Sequence, residues 1–154
     1  MLVLGIGNRR VTADALGPRT AQKILVTMGP QHTLPVRGIR PVAALAPGVS
    51  GDTGLTLRQL AAAIGLVRQH AEQWNILPDK IALCGFSAGG HLALSGAVWE
   101  IPGMADQPRP NALLLAYPVV TAGEYAHRDS FVQLTGTQDV AAHQRFTLED
   151  KITP

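Results

Sequence analysis

The stretch KIALCGFSAGGHLALSGAVW, residues 80–99, constrains the fold of this chain more than any other feature of its sequence. Its first part, IALC, is a short apolar run typical of a buried strand, and the residues from HLAL onward are typical of a helix. Between them, GFSAG fits the pattern G-x-S-x-G, which places a serine on a sharp turn from a strand into a helix. Gly85 and Gly89 allow the backbone to turn tightly at this point. The segment therefore predicts that Ser87 is exposed at the carboxyl end of a strand and that the amide of Ala88 can face an oxyanion.

Composition and charge exclude several classes of protein. The 154 residues are enough for one domain with a hydrophobic core, and 46% hydrophobic with 16% charged residues is typical of globular chains. A net charge of +2 without a basic tract predicts no nucleic-acid partner. No membrane partner is expected either, because the longest apolar stretch, 112–120, is about half the length of a membrane helix. Since the N-terminus lacks the pattern of a signal peptide, and the single cysteine, Cys84, cannot form a disulfide within the chain, we expect a soluble cytoplasmic protein.

Strand-like and helix-like patterns alternate along the chain. Strands are predicted at 2–7, 41–46, 81–84 and 111–119, and helices at 15–28, 57–74 and from 91 onward. The helix at 57–74 is the most regular, since its apolar residues recur at steps of three and four, and TLRQ at 56–59 matches a capping box. This order predicts an α/β fold with three α/β/α layers. Its four-stranded parallel sheet is expected to be doubly wound in the order 2-1-3-4, as in flavodoxin-like and Rossmann-like proteins.

The patterns weaken after residue 120, in a C-terminal tail that begins TAGEYAHRDS. Short helices are predicted near 130–134 and 140–146. The tail holds two candidate bases for Ser87, His127 and His143. His143 follows Asp139 by four residues, which on a helix places both on one face, and we interpret this pair as a solvent-exposed face. His91, just after the G-x-S-x-G motif, is predicted to have a structural role.

The C-terminal part of the chain resembles the α/β-hydrolase esterases of the acetyl-xylan-esterase and hormone-sensitive-lipase-like kind. The resemblance begins loosely at residue 57, becomes clear from about residue 80, and is carried by WNILPDKIALCGFSAGGHLA and RPNALLLAYPVVTAGEYAHRDSF. It implies that Ser87 is the nucleophile and that the Ala88 amide supplies half of the oxyanion hole. The His-Gly-Gly loop that supplies the other half in the family has no counterpart upstream, and the family's acid and histidine follow on later strands. We therefore expect Ser87 to be a vestigial nucleophile.

The N-terminal part, residues 2 to about 56, resembles the germination protease of spore-formers and, more distantly, the hydrogenase maturation proteases of the same fold. LVLGIGNRRVTADALGPRTAQKILVT and VRGIRPVAALAPGVSGDTGLT carry this resemblance. It implies that Asp14 belongs to a catalytic or metal-binding set of carboxylates. The partner carboxylate of the germination protease follows the next strand, where this chain has IALCGFS. Asp14 is therefore interpreted as a vestigial protease carboxylate, with helix capping as its alternative role.

Two resemblances that meet near residues 55–58 predict an engineered chimera. We expect one domain, 1–154, in which a βαβ segment (1–56) and an αβαβ segment (57–154) continue a single sheet. The first interpretation is a hydrolase-derived fold without evolved catalytic activity. The alternatives are a weak serine esterase that uses Ser87 on a small ester, and a binder of small anions at the glycine loops. No cofactor and no bound metal are expected, and the sequence leaves the oligomeric state open.

Overall fold

A computed structural model of the chain describes residues 2–6, 43–45 and 53–152. These residues include four strands: β1 (Leu2–Ile6), β2 (Ala43–Leu45), β3 (Ala82–Phe86) and β4 (Ala112–Ala116). Each pair of neighbouring strands is parallel, and the order across the sheet is β2-β1-β3-β4. The prediction of an α/β fold with parallel strands is therefore confirmed. The helix predicted at 15–28 lies outside the described residues.

Four helices follow in the described part of the chain: α1 (Thr53–Gln69), α2 (Ala88–Val98), α3 (Arg128–Thr135) and α4 (Val140–Gln144), with a 3-10 turn at Glu149–Lys151. The predicted limits of α1 are wrong. The helix begins at Thr53, so that Thr56 lies inside it and is not its N-cap. The helix ends at Gln69. Tighter turns follow it, in one of which the Ala71 amide donates to the Arg68 carbonyl at 3.2 Å, so the apolar spacing in the sequence continues beyond the end of the helix.

The predicted limits of two strands also differ from the structure. β3 continues to Phe86, because Gly85 and Phe86 still pair with β4. β4 ends at Ala116, three residues earlier than predicted. The next residue, Tyr117, has φ 38°, and Pro118 has no amide to donate, so the extended conformation and the hydrogen-bond ladder both stop there.

The hydrophobic core lies between α1, α2 and one face of the sheet. Successive strand residues point to opposite faces, so Leu83 of β3 shares a face with Leu113 and Leu115 of β4, and all three pack in this core. The apolar stripe predicted on α1 is confirmed, since its residue Ile64 is only 2% exposed. The other buried members of the stripe are Leu57, Leu60, Ala61, Val67 and Ala71. Leu114, on the opposite face of the sheet, is 63% exposed.

The tail beyond residue 120 is packed against the body of the protein despite its weak pattern. The two short helices predicted there are confirmed as α3 and α4, with limits that differ by a few residues. Phe131 and Leu148 are almost completely buried, and the Leu148 amide donates to the Val120 carbonyl at 2.9 Å. The Ala122 amide donates to the Thr147 hydroxyl at 3.1 Å. These contacts fix the tail to the segment that follows β4.

None of the described helices combines the length and the apolar character needed to cross a membrane.

Candidate active site

Ser87 lies between the last residue of β3 and the first residue of α2, at the carboxyl end of the parallel strand. Its backbone angles are φ 53° and ψ −124°. These angles match the first central position of a type II′ turn, where glycine is the usual residue. A serine in this conformation carries a backbone strain of about 1–3 kcal/mol, which the surrounding structure must hold in place. The strand, turn and helix that G-x-S-x-G predicts are therefore all present.

Backbone hydrogen bonds hold this turn from both sides. The Ser87 amide donates to the Ala116 carbonyl at the end of β4, at 3.2 Å. The Ser87 carbonyl accepts from the amides of Gly90 at 3.0 Å and of His91 and Val119 at 3.2 Å. The segment 116–119 and the first turn of α2 thus meet at the backbone of Ser87.

Close approach of the backbone explains two of the glycines around Ser87. A Cβ on Gly85 would lie 2.4 Å from the Gly89 carbonyl oxygen, and a Cβ on Gly90 would lie 2.8 Å from Pro118 Cβ. Both distances are shorter than real Cβ contacts, so a side chain at either position would displace the backbone. The need for Gly85 was predictable from the motif. The need for Gly90 was not predicted, although the doubled glycine in SAGG was the available signal.

Ala88 is the first residue of α2. The first amides of a helix have no acceptor within the helix, and the helix dipole adds positive character at this end. An oxyanion formed beside Ser87 would therefore meet an amide of favourable polarity. The role of the Ala88 amide as an oxyanion donor stays a prediction.

The four histidines of the described region each have a hydrogen-bond partner that is not Ser87. His70 pairs with the Leu66 carbonyl at 2.9 Å, His91 with the Val119 carbonyl at 2.7 Å, His127 with the Ser130 hydroxyl at 2.9 Å, and His143 with the Thr137 carbonyl at 2.8 Å. Between residues 53 and 152, therefore, no imidazole is hydrogen-bonded to Ser87 as a general base would be.

The interpretation of His143 and Asp139 as a solvent-exposed pair is wrong for His143. The His143 ring is 1% exposed and stacks on Phe131 with ring centroids 5.7 Å apart. Asp139 is the N-cap of α4, and its carboxylate accepts from the Ala141 amide at 3.0 Å. A four-residue spacing places two residues on one helix face only when both lie within the helix, and here the first is the cap.

His91 is 5% exposed, and its Nδ1 is 2.7 Å from the Val119 carbonyl oxygen. A carbonyl only accepts, so the Nδ1 of the neutral ring carries the proton. Burial lowers the pKa of His91, although the hydrogen bond to Val119 acts in the opposite direction. The rings of Trp99 and Phe131 stand nearly perpendicular to the imidazole at 6.3 and 6.1 Å. This environment agrees with the structural role predicted for His91.

The remaining candidate groups add no metal site to this region. Cys84 is a half-buried residue of β3, and burial raises the pKa of its thiol, which disfavours the thiolate. The described residues contain no group of three or more His, Cys, Asp or Glu side chains arranged to hold a metal ion. Asp14 lies outside the described residues, as does most of the glycine loops proposed for anion binding.

Comparison with known protein families divides the chain into two overlapping parts. The germination protease family matches residues 1–85, and the alpha/beta hydrolase fold family matches residues 54–150. The chain belongs to both families. Both resemblances read from the sequence are therefore confirmed, and the two matches overlap over α1 and β3.

Two of three curated relatives match about half of this chain, and a third matches nearly all of it. A germination protease of Geobacillus sp. (strain WCH70) is 40% identical over 84 residues, which cover 53% of this chain and 22% of that protein. The germination protease of Clostridium tetani is 41% identical over 162 aligned residues, covering 97% of this chain and 48% of that protein. Endo-1,4-beta-xylanase B of Butyrivibrio fibrisolvens is 38% identical over 87 residues, covering 52% of this chain and 14% of that protein. The chain thus spans less than half the length of each of these relatives.

Two solved structures resemble most of the chain. An acetyl ester-xyloside bifunctional hydrolase from Caldicellulosiruptor lactoaceticus has a TM-score of 0.58 and 24% identity, and the match covers 99% of this chain and 56% of that chain. Thermogutta terrifontis esterase 2 has a TM-score of 0.58 and 22% identity, with 93% and 54% covered. At these identities the likeness shows a shared fold.

Proposed function

We propose that this chain carries the nucleophile of a serine hydrolase of carboxylic esters, with Ser87 as the attacking residue. The observation that supports this most strongly is the backbone of Ser87, whose positive φ of 53° places the serine on a strained turn between β3 and α2. Positions with such strain persist where the surrounding structure holds them, and they concentrate at active sites. The match of residues 54–150 to the alpha/beta hydrolase fold family supports the same assignment.

The proposed chemistry is attack by Ser87 Oγ on the carbonyl carbon of a small ester. The carbonyl π electrons move to its oxygen, which the Ala88 amide stabilises at the N-terminus of α2. Collapse of this intermediate expels the alcohol and leaves an acyl group on Ser87. The Ser87 proton must pass to water or to a base outside the described residues, because the imidazole rings of the four described histidines have other hydrogen-bond partners. We therefore expect Ser87 to react with activated esters and phosphonates but to turn over slowly.

The second candidate is an engineered chimera with no evolved activity, in which Ser87 is a vestigial nucleophile. It is favoured by the two family matches. It is also favoured by the hydrogen bonds of the four described imidazoles, each of which is to a group other than Ser87. In this view, 1–154 is one three-layer, doubly wound domain of flavodoxin-like topology. The parallel pairing of Gly5 in β1 with Cys84 in β3 supports a sheet shared by the segments 1–56 and 57–154.

One experiment separates the two candidates. Wild type, Ser87→Ala and a control variant, Ser130→Ala, are incubated with a fluorophosphonate probe, and the labelled peptide is identified by mass spectrometry. Ser130 is a suitable control because it is the described serine with a histidine partner, His127, at 2.9 Å. Our proposal is supported if wild type and Ser130→Ala are labelled by the probe at residue 87. Both proteins should also release about one equivalent of p-nitrophenol from p-nitrophenyl acetate.

Absence of Ser87-dependent labelling would instead support the chimera without activity. Sustained Ser87-dependent turnover, with a rate that rises through about pH 6.5, would indicate an imidazole base that the described residues do not provide.

A further inference from the structure

Ser87, His91 and Val119 are joined in a closed cycle of hydrogen bonds. The Ser87 carbonyl accepts from the backbone amides of His91 and Val119, both at 3.2 Å. The Val119 carbonyl in turn accepts from the Nδ1 of the His91 side chain at 2.7 Å. His91 therefore contacts the turn twice, once through its own backbone and once through the segment that follows β4.

The surroundings of His91 make this side-chain hydrogen bond specific. The ring is 5% exposed and is enclosed by Trp99 and Phe131, and its Nε2 has no hydrogen-bond partner among the described residues. A buried hydrogen bond is not weakened by competition with water, and loss of the imidazole donor would leave the Val119 carbonyl without this partner. The ring thus has one polar function at this position, which is to hold Val119.

The segment that Val119 belongs to is itself strained. Tyr117 has φ 38°, and Pro118 lies so close to Gly90 that a Cβ there would be 2.8 Å from Pro118 Cβ. The two strained residues, Ser87 and Tyr117, therefore lie close together, because the Ser87 amide donates to the carbonyl of Ala116, the residue before Tyr117. Strained conformations of this kind persist only where neighbouring contacts over-determine them.

We propose that His91 is a positioning residue for Ser87: its imidazole, through the Val119 carbonyl, holds the segment 117–119 against the turn and keeps Ser87 in its strained, reactive conformation. This inference rests on the proposed function of Ser87. It adds a residue that contacts neither substrate nor reacting atoms and acts through Val119.

Two variants separate the hydrogen bond from the packing of the ring. In His91→Asn, the side-chain amide nitrogen is as many bonds from Cα as Nδ1 is, so a donor to Val119 is kept. In His91→Leu, an apolar side chain fills the site without a donor. The control is Val67→Ala, which removes a buried group of α1, 5% exposed, that forms no part of the cycle.

Two measurements test the cycle without any reaction at Ser87. Long-range ¹H–¹⁵N NMR spectra of the imidazole should show the His91 proton on Nδ1. Amide hydrogen exchange at Val119 should accelerate about tenfold in His91→Leu, equivalent to one hydrogen bond, and less than about threefold in His91→Asn. A proton on Nε2, or equal exchange in the two variants, would overturn the proposal.

The rate of fluorophosphonate labelling at Ser87 then tests the consequence for reactivity. At equal folded fraction, we expect His91→Leu to be labelled about tenfold more slowly than wild type, with His91→Asn and Val67→Ala close to wild type. If Val67→Ala slows labelling as much as His91→Leu, the effect is general destabilisation and the positioning role is wrong.

If wild-type Ser87 is not labelled at all, the proposed function fails, and the exchange rate of Val119 still decides whether His91 holds the turn. If His91→Leu does not fold, the imidazole spectrum of wild type and the Val119 exchange rate of His91→Asn decide whether His91 holds the turn.

Discussion

Gly96 of α2 lies directly against Leu60 of α1. A Cβ on Gly96 would be 2.6 Å from Leu60 Cδ2, closer than real Cβ contacts allow, and Leu60 is 5% exposed. The two helices therefore approach each other at this pair because one partner has no side chain. Gly96 belongs to the region matched by the hydrolase family alone, whereas Leu60 belongs to the region that both families match.

The first prediction concerns the coupling between these two residues. In wild type, Gly96→Ala should be neutral or destabilising, since overpacking of about 1–3 kcal/mol opposes the gain of about 1 kcal/mol in helix propensity. With Leu60→Ala present, the same substitution should be stabilising, because the new methyl group enters vacated space. Denaturant unfolding of the four proteins should give an interaction free energy of about 1–3 kcal/mol, because the helix-propensity gain cancels between the two backgrounds. Additive effects would show that the helices do not meet at this pair.

The second prediction tests the core contributed by α1. Ile64→Asp should unfold the domain, because an unpaired carboxylate at a position 2% exposed costs several kcal/mol, which is comparable to a typical total stability of about 5–15 kcal/mol. Ala62→Asp, at an exposed position of the same helix, is the control and should retain a cooperative melt. Circular dichroism during thermal unfolding is sufficient. A soluble Ile64→Asp protein with an unchanged Tm would contradict the burial of this face.

The third prediction concerns the strain at Ser87. Ser87→Gly should be more stable than Ser87→Ala by about 1 kcal/mol, because glycine adopts φ 53°, ψ −124° without a Cβ clash, whereas alanine keeps the strain. Guanidinium unfolding of both variants gives this difference directly. Neither variant has the hydroxyl, so any difference between them reports on the backbone. Equal stability would mean that the turn is not strained.

The fourth prediction concerns pH and His91. Because burial lowers the pKa of His91 in the folded protein, the unfolded chain binds the proton first as the pH falls below about 6.5. The contribution of neutral His91 to stability is therefore complete above that pH and is lost as the pH falls from about 6.5 toward the lower pKa of the folded state. Between pH 7 and 5, the Tm of wild type should fall more than that of His91→Asn, which has no titrating group at this position. Parallel curves for the two proteins would contradict a buried neutral imidazole.

The features that could be predicted from sequence are those with a local or periodic cause. The stripe of α1 follows from a spacing of three and four residues, and Ile64 lies at its centre. The turn at Ser87 follows from an apolar strand, two glycines and a helix in immediate succession. The limits of α1 and β4 were less predictable, since they depend on where tighter turns replace the helix after Gln69 and on the positive φ of Tyr117.

The sequence by itself determined the α/β class, the family membership of both parts and the position of Ser87, because short-range pattern and motif carry that information. Only the tertiary structure decided what surrounds those elements. The contact of Gly96 with Leu60, the hydrogen bond from His91 to Val119 and the burial of His143 join residues that are distant in sequence or lie in a weakly patterned tail. No local pattern specifies such contacts, because a side chain's environment is set by the elements that pack against it and not by its neighbours along the chain.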